Sequence, residues 1–207
     1  MGVTGKRTAI LISGRGSNMR ALVEAARASD FPAEIVLVIS NRPAAAGLEF
    51  ARAAGIATLV IDHKVYADRA AFDRALDAGL RQARVDLVCL AGFMRLLTPW
   101  FVERWLDRVI NIHPSLLPAF PGLDTHRRAL EAGVKLAGCT VHYLRAGTDD
   151  GPIIAQAAVP VLPGDTENTL AARILAAEHK LYPLALRLAA SGATARPGAG
   201  ALFNPAP

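Results

Sequence analysis

Short apolar runs alternate along the chain with segments in which apolar residues recur every three or four positions. The first pattern predicts strands buried on both faces, the second helices with one buried stripe. Residues 8–12 form an apolar run. After Ser13-Gly14-Arg15-Gly16-Ser17-Asn18, residues Met19, Leu22, Val23 and Ala26 fall at i, i+3, i+4 and i+7. A strand, a glycine-rich turn and a helix follow in that order, with Ser17 or Asn18 as the expected N-cap. A second strand is expected over 34–40, a helix over 46–54 closed by Gly55, and a third strand over 57–61. Asp68 caps a helix whose buried stripe is Phe72, Leu76 and Leu80, and 86–91 is the fourth strand. The next connection, Gly92-Phe93-Met94-Arg95-Leu96-Leu97, is apolar for a surface segment. It runs into Thr98 as N-cap with Pro99 at the first helical position.

The fifth strand lies in 109–118, VINIHPSLLP. Val109, Ile110 and Ile112 make it a buried run, broken at once by Pro114. Asn111 and His113 share the side-chain period of two and point to one face at the strand's C-terminal end. One is a neutral amide and the other can move a proton near neutral pH. Beyond Pro118 the pattern changes. A loop leads to a helix from Asp124 or Thr125 through Ala132, strands cover 137–144 and 153–161, and the turn-rich 146–152 between them makes that pair antiparallel. A long helix over about 166–190, which Pro183 is expected to kink, closes the pattern.

Strand–helix alternation implies an α/β fold, a Rossmann-like and mostly parallel sheet with helices on both faces. The C-terminal part adds antiparallel strands and the long helix. We read residues 1–190 as a single domain, with 1–113 a nucleotide-binding half and 114–190 a C-terminal half, and 191–207 as a flexible tail. In the strand order 3-2-1-4-5 the direction of winding reverses between the first and fourth strands. The glycine turn, the Met94 loop and the Asn111/His113 end would all open there.

Composition narrows the function. Hydrophobic residues make up 52% of the 207 and charged residues 20%, which is globular rather than disordered. The net charge of +5 carries no basic run, so anionic small molecules fit better than nucleic acid. The two cysteines, Cys89 and Cys139, lie in apolar runs and read as buried thiols of a reducing compartment. With no signal peptide and no membrane-length apolar run, the expected location is cytoplasmic, with no membrane partner.

A helix N-terminus after a glycine turn offers free N–H groups to a phosphate, although an ordinary tight turn has the same composition. The dinucleotide fingerprint is incomplete, because Met19 replaces its third glycine and the second strand ends in Asn41-Arg42 with no acid for a ribose hydroxyl. That disfavours NAD and favours a single phosphate. Arg15 and Arg69 read as solvated surface residues, with contact to an anionic ligand as the alternative. His113, His126, His142 and Asp149 lack any close ligand spacing, so no metal is expected. Ser115 lies outside a G-x-S-x-G elbow and reads as a turn serine. Asp149 and Asp150 read by spacing alone as turn formers.

ISGRGSNM, AGFMRLL, NIHPSLLPAFPGLDTHRRAL, DDGPIIAQ and AEHKLYP together resemble the phosphoribosylglycinamide formyltransferase family within the folate-dependent formyltransferases, over about residues 8–190. The resemblance implies formyl transfer from 10-formyltetrahydrofolate, as co-substrate, to the amine of glycinamide ribonucleotide in purine synthesis. It implies that Asn111, His113 and Asp149 are catalytic and that Gly16, Ser17, Asn18 and Glu178 bind the ribonucleotide. Arg69, Met94, Arg95, Leu96, Leu97 and Asn111 would meet the formyl folate, and Pro118 would follow a cis peptide bond. In that scheme Asn111 donates to the developing oxyanion and His113 acts as general acid. Asp149 favours and orients the charged imidazole, and no metal is needed. Two residues depart from the family pattern: Asp124 stands where relatives often carry a basic residue, and Asp150 where many carry a small one.

Three other readings compete. A formyltetrahydrofolate deformylase would use the same trio but usually carries an extra N-terminal domain. Methionyl-tRNA formyltransferase carries a C-terminal tRNA-binding domain. A non-catalytic nucleotide-binding module would leave the trio without a use. The partners expected are small molecules, with the chain a monomer or homodimer.

Overall fold

The computed structural model describes residues 5–193 and the backbone of 201–203. Five parallel strands form in the order expected from the alternation: β1 (Lys6–Ile12), β2 (Ala33–Ser40), β3 (Ala57–Val60), β4 (Leu87–Leu90) and β5 (Val109–His113). β6 (Leu136–Tyr143) and β7 (Ile153–Pro160) extend the sheet antiparallel, and β8 (Ala201–Phe203) pairs parallel to β7. The sheet order is β3-β2-β1-β4-β5-β6-β7-β8, so winding reverses between β1 and β4. The rest of the expected flexible tail, 194–200 and 204–207, lies outside the described residues.

Helices cover both faces because strand residues alternate between two apolar layers. Ile10 and Ile12 of β1 join α1 (Ser17–Ala25), α2 (Gly47–Ala53), α5 (Thr125–Glu131) and α6 (Glu167–Ser191) in one core. Ala9 and Leu11 join α3 (Arg69–Gln82) and α4 (Pro99–Arg104) in the other. The first core runs from Ile10 through Ile110 and Cys139 to Leu186. It therefore packs residues from both sides of the 113/114 division. Cys89 and Cys139 are buried in it as free thiols, and burial pushes the Cys89 thiol up to about 12 and raises Cys139 as well.

Side chains cap the starts of α3 and α6. Asp68 accepts from the Ala71 N–H at 2.7 Å to start α3, and Thr166 and Thr169 cap α6 reciprocally. Two expected caps differ. The N-cap of α1 is Gly16, at φ 73°, with no side-chain cap, rather than Ser17 or Asn18. Only glycine takes that left-handed conformation without strain, and the chain must turn there to leave β1. Thr98 does occupy the N-cap of α4 but makes no cap bond with its side chain, because its hydroxyl is engaged elsewhere. Pro183 is accommodated inside α6, which continues to Ser191.

Candidate active site

β5 and β6 pair so that Asn111 lies opposite His142 and His113 opposite Thr140. Alternation puts these four side chains on one face at the C-terminal end of β5. His142 is buried, and burial lowers its pKa, so its ring is neutral at neutral pH. Its Nδ1 lies 3.0 Å from the Tyr143 carbonyl, which accepts only a proton-bearing nitrogen. Nε2 is then the acceptor for the Asn111 amide Nδ2, 3.3 Å away. His142 therefore aims the NH2 group of Asn111 and leaves that group a second hydrogen to donate.

Both ring nitrogens of His113 face acceptors. Nε2 is 3.0 Å from the Phe120 carbonyl and Nδ1 is 3.3 Å from Asp149 Oδ2. Both contacts become hydrogen bonds only in the imidazolium form. Asp149 sits at φ 54°, a left-handed conformation that aspartate tolerates better than most residues. From there Oδ2 also accepts the Gly122 N–H at 2.9 Å, and Oδ1 lies 3.7 Å from His142 Nε2. Asp150 is exposed, and its carboxylate lies against Gly147, where a Cβ would strike it. The carboxylate that meets His113 is thus that of Asp149.

The strand break after His113 is held tightly. Ser115 Oγ donates to the Ala119 carbonyl at 2.6 Å, as suits a turn serine, and Thr140 Oγ1 donates to the Ser115 carbonyl at 2.7 Å. The Leu117–Pro118 bond is cis. Together these contacts fix the Phe120 carbonyl beside His113. Asp124 lies outside this group, at the N-cap of α5, paired with Arg127 at 2.6 Å.

On the other side of the crevice, Gly16 and Ser17 open α1, and the side chain of Asn18 turns inward. Its Nδ2 donates to Glu178 Oε2 at 2.7 Å, and its Oδ1 is buried with no hydrogen-bond partner. Burial raises the Glu178 carboxyl above its usual pKa, against the opposing Asn18 bond. Glu178 is set by α6, because Tyr182, one turn later, shares its hydroxyl proton between the Leu90 and Ile110 carbonyls at 3.0 and 3.1 Å. Met94 and Leu96 are exposed, Leu97 and Arg95 are half-buried, and Phe93 stacks on Phe72 of α3 with centroids 6.4 Å apart. Arg69 is exposed in the first turn of α3. Arg15 is exposed too.

By spacing alone, His142 reads only as a possible metal ligand. Its role needs the register of an antiparallel pair, which the alternation in β6 allows but does not fix. Among the described residues, no group of three His, Cys, Asp or Glu side chains is placed to hold a metal ion. No helix among them is long and apolar enough to cross a membrane.

The buried His142 and the half-buried His126 and His179 have a measurable consequence. Burial lowers the pKa of His126, His142 and His179 below the ordinary 6.5. Between the lowered and ordinary values the unfolded chain binds more protons than the folded one. This contribution to stability is therefore complete above the ordinary value and is lost as the pH falls through the window beneath it. The raised carboxyl of Glu178 acts with the opposite sign, from its ordinary 4.5 upward. The urea midpoint should drop between about pH 7.5 and pH 5.5, and His142→Gln should flatten that slope. An unchanged slope in the variant would remove His142 from this account.

A model of the formyl transferase family matches residues 6–186. The chain is 56% identical over 193 residues to the trifunctional purine biosynthetic protein adenosine-3 of Drosophila pseudoobscura pseudoobscura, covering 92% of this chain and 14% of that protein. The chain thus spans a small part of such relatives. It is 45% identical over 183 residues to the phosphoribosylglycinamide formyltransferase of Escherichia coli (strain K12), covering 88% of this chain and 86% of that one. The crystal structure of phosphoribosylglycinamide formyltransferase from Brucella melitensis superposes with a TM-score of 0.88 at 58% identity, over 91% of this chain and 97% of that one.

Proposed function

The chain belongs to the formyl transferase family, and on that premise we propose that it transfers a formyl group from 10-formyltetrahydrofolate to the amine of glycinamide ribonucleotide. The observation that carries the reading is the linked group Asn111–His142 and His113–Asp149 at the end of β5. It lies in a sheet whose switch point also exposes the α1 N-terminus.

The α1 N-terminus at Gly16 and Ser17 offers backbone N–H groups to the ribonucleotide phosphate. The unfilled Asn18 Oδ1 and the Glu178 carboxyl suit hydrogen-bond donors of the same substrate. Met94, Leu96 and Leu97 give the flat pterin an apolar wall, and Arg69 and Arg95 suit the anionic tail of the folate. When the amine attacks the formyl carbon, a new C–N bond forms and negative charge gathers on the formyl oxygen. The free N–H of Asn111, aimed by His142, can donate to that oxygen, a service worth about 3 kcal/mol where comparable donors have been removed. As the bond from carbon to the folate nitrogen breaks, His113 turns its Nε2–H from the Phe120 carbonyl to that nitrogen and gives it the proton. The proton that the attacking amine releases to solvent is matched by one that restores the imidazolium. Asp149 holds the imidazole in place. Binding both substrates in one crevice removes much of the entropic barrier.

Purified protein mixed with 10-formyltetrahydrofolate should lose formyl groups only when glycinamide ribonucleotide is added. Formate released at a similar rate without the ribonucleotide would replace this reading with the deformylase.

A further inference from the structure

The segment that carries most of the folate reading has no regular structure of its own. Residues 93–98 belong to neither strand nor helix, and Met94 and Leu96 are 66% and 69% exposed. An apolar loop pointing into water would collapse onto the sheet unless something held its ends.

Two buried side chains from elsewhere in the chain do so. At the start of the segment, the Met94 N–H donates to Ser13 Oγ at 2.8 Å. Ser13 Oγ in turn donates to Asn41 Oδ1 at 2.6 Å, and the Ser13 N–H donates to the Gly92 carbonyl at 3.2 Å. At its end, the N–H and the hydroxyl of Thr98 both donate to Asp73 Oδ2, each at 2.6 Å. Asp73 is fully buried on α3, one turn after Arg69, while Ser13 directly follows β1 at the edge of the phosphate turn.

Stability alone does not call for Asp73. Burying a carboxylate is costly, and Thr98 could cap α4 with its own side chain if its hydroxyl were free. Desolvation raises the Asp73 carboxyl, against the Thr98 bonds and the nearby charges of Arg69 and Arg95. Its Oδ1 has no hydrogen-bond partner, and neither does the buried Nε of Arg95. The carboxylate makes sense as a fixed point for geometry: it ties the last residue of the loop to the helix that carries Arg69.

We propose that Asp73 and Ser13 are positioning residues that clamp the two ends of the 94–97 segment in the shape that receives the folate ring. The clamp rests on the folate reading of that segment and acts on one substrate only. It holds the apolar wall in register with Arg69 and leaves the Asn18–Glu178 side of the crevice untouched.

Steady-state kinetics on the full chain, varying each substrate in turn, test it. Asp73→Ala should raise the KM for 10-formyltetrahydrofolate by about ten- to a hundredfold, the range for losing hydrogen bonds to a charged group. The KM for glycinamide ribonucleotide should stay within about twofold, because binding to one substrate alone is lost. Asp73→Asn keeps an oxygen for Thr98 and should recover much of the loss. Ser13→Ala and Thr98→Val should show the same selectivity for the folate, and they decide the matter if Asp73→Ala does not fold. An unmoved folate KM in the folded variants overturns the clamp. So does an equal rise in both KM values with a lower Tm and no recovery in Asp73→Asn. Wild-type protein that does not consume 10-formyltetrahydrofolate at all would overturn the folate reading itself, a result distinct from either.

Discussion

Replacing His113 with alanine should lower kcat about 100- to 10,000-fold, the usual contribution of a positioned general acid. The affinity for glycinamide ribonucleotide should change little. The ring is buried, and its nitrogens touch the Phe120 carbonyl and Asp149. The groups proposed for the ribonucleotide lie on α1 and α6 and form their own pair through Asn18 and Glu178. His113→Gln tests the same role with less loss of volume. A glutamine amide can still donate to the Phe120 carbonyl but has no acidic proton for the departing folate nitrogen, so its kcat should fall about as far as that of alanine. Turnover under saturating substrates, with ribonucleotide binding followed by calorimetry, separates the outcomes. If kcat holds, His113 is not the acid; if ribonucleotide affinity collapses, its work is in binding.

Those roles were legible in the sequence to different depths. The apolar runs mark β1 to β5, and the connections between them imply a parallel sheet. Period-two alternation alone puts Asn111 and His113 on one face. What the pattern could not supply is contact between distant elements. His142 meets Asn111 only through the antiparallel register of β5 and β6. Asp73 meets Thr98, 25 residues away, because α3 and the start of α4 pack together. Local chemistry also misleads where the backbone is unusual. Ser17 and Asn18 look like N-caps, yet Gly16 takes the cap in a left-handed turn, and this frees Asn18 to reach Glu178 on α6. That last contact spans 160 positions of sequence, and no periodicity encodes it.

Asp149 is the extreme case. By spacing it belongs to a turn between two strands, and it does occupy one, at φ 54°. The same conformation carries its carboxylate across to the loop after β5. There one oxygen serves both the Gly122 N–H and His113 Nδ1, and the other faces His142. Asp149→Asn should therefore lower kcat by about 10- to 100-fold, matching the loss of a charge-assisted hydrogen bond. Asparagine is well suited to this prediction because it also tolerates the left-handed conformation, so the turn should survive. An asparagine oxygen can still accept from Gly122, and only the charge beside the imidazole is removed. Asp149→Ala removes the charge, that acceptor and the residue's tolerance of positive φ together, so it should lose at least as much activity and also lower Tm. Asp150→Asn controls for the neighbouring carboxylate, which lies against Gly147 rather than His113, and should leave kcat within about twofold, as for a surface charge. Equal losses from the two asparagine variants would mean that the acid is shared. A loss in Asp150→Asn alone would move the role from Asp149 to its neighbour.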